Sequence, residues 1–77
     1  MTHLPPGADF DPVPTKPRHD GWTPERQIGF IEALAESGCV VEACRSVGMS
    51  PGSAYALRRR VDAQSFRIAW DCALDFA

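Results

Sequence analysis

VGMSPGSAYALRRRV, Val47 to Val61, is the stretch whose reading decides the fold. Val47-Gly48-Met49-Ser50 has the composition of a tight turn, and Gly48 can take the left-handed backbone that a sharp reversal needs. Ser50 is suited to cap a helix beginning directly after it, because its hydroxyl can accept from a backbone N–H orphaned in the first turn. Pro51 then falls at the first helical position, where its missing N–H costs nothing. The expected helix runs from Pro51 to Arg60. Ala54, Leu57 and Val61 are spaced to form its inward stripe.

At about 100° per residue the opposite side carries Gly52, Tyr55, Ala56 and Arg59, with Arg58 and Arg60 on its flanks. Small residues let a helix approach a surface closely. An arginine beside them can fork onto a guanine edge or a phosphate, and a tyrosine hydroxyl can reach a phosphate oxygen. The pattern is that expected of a recognition helix in the major groove of double-stranded DNA. Gly52, Ser53, Tyr55, Ala56 and Arg59 would then face the bases, with Ser50 at the cap. Arg58, Arg60 and Arg45 would face phosphates. The plainer alternative is a basic helix face that is simply solvated.

Working outward, Val40 to Ser46 reads as a short helix with Val40, Ala43, Cys44 and Val47 apolar and Gly48 ending it. Before it, Thr23 caps, Pro24 opens and Glu25 complements the dipole of a helix reaching about Ser37, stopped by Gly38. Its apolar stripe is Ile28, Ile31, Leu34 and Ala35, widened by Phe30, and Trp22 is placed to staple onto Ile28. These three helices make an all-α, tri-helical helix-turn-helix unit. Asp62 is a candidate cap for a fourth helix from Ala63 to the end, with Phe66, Ala69, Trp70, Ala73 and Leu74 as its stripe and Arg67 paired to Asp71 one turn on.

Residues 1–22 hold five of the seven prolines and almost no periodicity. Proline denies the segment helical and ladder hydrogen bonding, so it reads as an extended, flexible arm ahead of a 23–77 domain. Lys16 and Arg18 could carry such an arm into a minor groove, but acids surround them and a plain leader is the preferred reading.

With 77 residues, a net charge of −2 and a pI near 5.5, the chain is one small domain that does not coat nucleic acid by bulk charge. Its charge is uneven: Cys39 to Val61 contains Arg45, Arg58, Arg59 and Arg60 against Glu42 alone. Cys39, Cys44 and Cys72 form no CxxC and have no nearby histidine, since His3 and His19 lie in the arm. They read as small apolar filler in a reducing cytoplasm, with no metal site. No cofactor motif is present, because the glycines around Ser50 lack the lysine of a phosphate loop. No catalytic pair is legible either, and Glu32 and Glu36 read as a solvated helix face. The chain is therefore expected to be no enzyme. No apolar run approaches transmembrane length.

The stretch GCVVEACRSVGMSPGSAYALRRRVDAQSFRIAWDCAL, Gly38 to Leu74, resembles the homeodomain-like helix-turn-helix of phage-derived bacterial proteins, including small terminase subunits and small transcription regulators. The matching pieces are Gly38, Ala43, Gly48-Met49-Ser50, Tyr55, Arg58, Arg60, Phe66 and Trp70. The resemblance covers about Thr23 to Leu74 and implies DNA binding in transcription control or in recognition of a packaging site. The chain departs from that pattern at Leu57, where an aromatic is usual, and in the Val61-Asp62-Ala63-Gln64 link. The competing expectation is a protein-interaction module, in which Phe66, Trp70 and Leu74 of the last helix form an interface and make a homo-oligomer.

Overall fold

A computed structural model of the chain describes residues 10–15 and 21–76. Four helices follow one another: α1 Pro24–Ser37, α2 Val40–Val47, α3 Pro51–Arg58 and α4 Gln64–Phe76. No strand occurs among the described residues. The helix starts and stops sit where local chemistry puts them. Thr23 is extended and its hydroxyl accepts from the Arg26 N–H at 3.3 Å, filling one of the orphan donors. Ser50 does the same for the Ser53 N–H at 3.2 Å. Gly38 and Gly48 both take left-handed backbone, with φ of 66° and 73°, the conformation in which glycine escapes the Cβ penalty. After α2 the Met49 N–H reaches back to the Cys44 carbonyl at 3.0 Å, closing the helix end.

α1 lies at the centre, packed against α2 on one side and α4 on the other, while α3 borders α2 and α4. Its buried residues are Gln27, Phe30, Ile31, Leu34 and Ala35. Gly29 allows the approach of α2: a Cβ there would meet a Val47 methyl at 3.1 Å. Phe30 is the hub of the core, with ring centroids 5.0 Å from Trp70, 5.4 Å from Trp22 and 5.9 Å from Phe66. Such edge and offset contacts each add ~0.5–1.5 kcal/mol to the burial itself. α2 and α3 contribute small buried side chains, Ala43, Cys44 and Ala54, with Leu57. Burial pushes the Cys44 thiol up, which keeps it neutral filler.

Several expectations are corrected. Ile28 is on the exposed side of α1 and is not the staple for Trp22; Trp22 turns inward onto Phe30 and Phe66. Gln27, polar and therefore left out of the stripe, is fully buried. Its amide accepts from the Val13 N–H at 2.7 Å and donates to the carbonyls of Val13 and Trp22 at 3.0 and 2.9 Å. Consequently Phe10–Thr15, expected to be part of a flexible arm, lies against the helices. Val13 is buried, Phe10 packs on Phe66 at 6.0 Å, and the Asp11 N–H donates to Ser65 at 3.0 Å. Lys16, Arg18, His3 and His19 lie outside the described residues.

α3 ends two residues earlier than expected. Val61 therefore leaves the inward stripe and is 98% exposed. Asp62 does not cap α4, because its carboxylate is held by Arg60; the first α4 backbone bond runs from Arg67 to the Ala63 carbonyl.

Candidate nucleic-acid interface

The outward side of α3 is the face that its angular spacing gives. Gly52, Tyr55, Ala56 and Arg59 are all exposed, and Ala54 and Leu57 point inward. Three residues outside α3 hold this face in place: Arg26, Trp22 and Trp70. At its start, the Arg26 guanidinium donates to the Gly21 carbonyl at 2.9 Å and lies 3.6 Å from the Met49 sulfur, tying the turn to α1. Trp22 Nε1–H donates to the Ser53 hydroxyl at 3.1 Å, and that hydroxyl donates to the Ser50 carbonyl at 2.8 Å. Ser53 is thus half-buried and engaged with the protein itself, and its expected base-facing role does not hold in this arrangement. At the far end, Tyr55 leans on Trp70 with centroids 5.2 Å apart.

The arginines differ in what they are free to do. Arg58 stacks on the Trp70 ring at 5.0 Å and pairs with Asp71 at 3.1 Å, with its side chain only 28% exposed. One of its terminal nitrogens is buried without a hydrogen-bond partner. Arg58 is a strut between α3 and α4, and its expected phosphate-facing role is corrected on that ground. Asp71, expected to pair with Arg67, is occupied by Arg58 instead.

Arg60 forks onto Asp62 with bonds of 2.9 and 2.8 Å, and Arg45 pairs with Glu42 at 2.9 Å. Both of these pairs are at the surface, where a pair is worth ~0–1 kcal/mol. Arg59 is exposed and, among the described residues, has no carboxylate within ion-pairing distance. The basic excess counted over Cys39 to Val61 is therefore largely offset by Asp62 and Asp71, which lie beyond that window in sequence. Ser50 remains exposed at the head of the helix.

The expected interface on α4 separates in the same way. Phe66 and Trp70 are buried in the core and only Leu74 reaches the surface, 40% exposed. The reason is phase: Phe66, Ala69, Trp70 and Ala73 form the inward stripe against α1. Self-association through Phe66 and Trp70 would require unpacking that core.

Sequence reasoning passed over Trp22 and Arg26 as residues that hold the face. Each acts across a distance in sequence that periodicity does not register. Among the described residues no cluster of side chains could hold a metal ion, and no helix is long and apolar enough to cross a membrane. Comparison with known proteins gives no relative: no family model matches the chain, and no curated protein or solved structure does.

Proposed function

We propose that α1 to α3 act as a homeodomain-like helix-turn-helix and that the chain binds double-stranded DNA with α3 in the major groove, as a small transcription regulator or a phage-type DNA-recognition subunit. The observation that carries the reading is the joint exposure of Gly52, Tyr55, Ala56 and Arg59 on one side of a helix capped by Ser50. The two small residues let the backbone come near base edges. Arg59 then supplies a fork of donors matched to guanine. Arg45 and Arg60 stand on either side of this face in sequence, at positions suited to phosphates. Each must leave a carboxylate to do so, at a cost of about 0–1 kcal/mol per surface pair. Arg58 takes no part in binding.

Binding by so few cations is weak and strongly reduced by salt. If only Arg45 and Arg60 reach phosphates, log K falls with log salt at a slope of about −2. Arg59→Ala should remove ~1–3 kcal/mol from binding to a preferred duplex and flatten the preference among sequences. Arg60→Ala should weaken all duplexes alike. Titrations of both variants against a duplex selected from a randomised pool and against an unselected one test this. Identical, sequence-blind losses in the two variants would overturn the role given to Arg59.

A further inference from the structure

The C-terminal end of α3 has no glycine stop. Arg59 closes the helix in right-handed backbone, φ −79° and ψ −8°, and the chain then turns through Arg60 to Asp62 into α4. The last carbonyls of a helix need donors from elsewhere. The chain's own Arg59 and Arg60 N–H groups serve the Tyr55 and Leu57 carbonyls, and α4 serves the last one: a single terminal nitrogen of Arg67 donates to the Arg58 carbonyl and also to the Arg60 carbonyl just past the helix, both at 2.7 Å. These are the carbonyls on either side of Arg59. The same guanidinium puts a positive charge at the negative end of the α3 dipole. The turn is closed further by the Arg59 N–H on the Tyr55 carbonyl at 3.1 Å and the Ala63 N–H on the Arg60 carbonyl at 3.1 Å.

We infer that Arg67 is the positioning residue for Arg59. It ties the peptide group that precedes Arg59 to the one that follows Arg60, and so holds the turn from which the Arg59 side chain leaves the backbone. The inference rests on the DNA-binding reading above, and it adds a residue that touches no nucleic acid. Arg67 is half-buried and turned toward the protein's own carbonyls, so it is not a further phosphate contact. A base fork must set two donors on one base edge, whereas a phosphate contact carries no sequence information. Loss of Arg67 therefore affects discrimination before it affects general binding.

The test uses the full chain and compares Arg67→Gln, Arg67→Lys, Arg59→Ala and the double variant Arg59→Ala/Arg67→Gln. The readout is the ratio of affinities for the selected duplex over an unselected one, at a temperature where every variant is folded. Arg67→Gln should lower that ratio on the order of tenfold, the loss expected when a bidentate base contact goes, and leave unselected binding nearly unchanged. Arg67→Lys keeps a cation with several donors and should restore most of the ratio. The double variant should discriminate no worse than Arg59→Ala alone, because both changes remove the same contact.

A merely stabilising Arg67 would leave the ratio intact once the protein is folded, and that result overturns the inference while the DNA-binding reading stands. A wild-type chain without sequence preference overturns both. Amide order parameters without DNA provide a separate check: residues 59 to 62 should loosen in Arg67→Gln while α1 and α2 do not. Unchanged order at 59 to 62 also overturns the inference.

Discussion

α1 and α4 are built from large side chains, α2 and α3 from small ones. The first pair has 14 and 13 residues and buries Phe30, Ile31, Leu34, Phe66 and Trp70. The second pair has eight residues each and buries Ala43, Cys44, Ala54 and Leu57. An isolated helix of eight residues is unstable in water, so α2 and α3 keep their shape only because the larger pair and the caps hold them. The difference teaches a division of labour. One half of the molecule supplies most of the large buried side chains, and the other half presents the exposed face of α3.

This division can be broken first at its centre. Phe30→Ala removes the ring that touches Trp22, Phe66 and Trp70 together, and should cost about 3–5 kcal/mol of stability. Denaturant melts of the variant check the value; a loss well below that range would mean that the aromatic cluster is not the main source of burial. The second change is smaller. Gln27→Leu keeps the volume but strands the N–H and the carbonyl of Val13, while the Trp22 carbonyl keeps its bond from the Thr15 hydroxyl at 2.8 Å. Each buried group left without a partner costs ~1–3 kcal/mol, less whatever water recovers. The same melts, together with the protease sensitivity of Phe10–Thr15, should show a destabilised protein whose N-terminal segment is released. Retained protection would show that Val13 and Phe10 packing, with the Asp11 and Thr15 hydrogen bonds, holds this segment without Gln27.

The third change sharpens the comparison from the other side. Asp62→Asn removes the partner of Arg60 at the surface. Stability should move by less than ~1 kcal/mol, whereas affinity for every duplex should rise, because a cation is freed and an anion removed. Binding isotherms on two unrelated duplexes read this directly, and unchanged affinity would argue that Arg60 does not face phosphate.

Much of the fold was legible in the sequence because its punctuation is local. Thr23 with Pro24, Ser50 with Pro51, Gly38 and Gly48 each act within one turn of their own position. The end of α3 was not legible, since nothing in Arg58-Arg59-Arg60 stops a helix. The stop comes from Arg67 and from buried Ala63, which belong to α4 and its approach. Val61 stayed in phase with a helix that had already ended. Gln27 escaped notice because a polar residue on an apolar stripe looks like an interruption until the backbone it serves is folded beside it.

At the candidate interface, spacing gave the exposed side of α3 correctly. It could not separate Arg58 from Arg59, because Trp70 and Asp71 lie 12 and 13 residues beyond Arg58 in the chain. The Phe66 and Trp70 interface failed for a related reason: one apolar stripe serves equally well for a core or for a partner until α1 is seen to cover it.

The most direct measurement is a titration of the isotope-labelled chain with a selected duplex at low salt, followed through its backbone and arginine side-chain resonances. The account predicts the largest changes at Gly52, Tyr55, Ala56 and Arg59, smaller ones at Arg45 and Arg60, and little at Ile68 or Phe76 on α4. Changes centred on α4, or no changes at all, would contradict it.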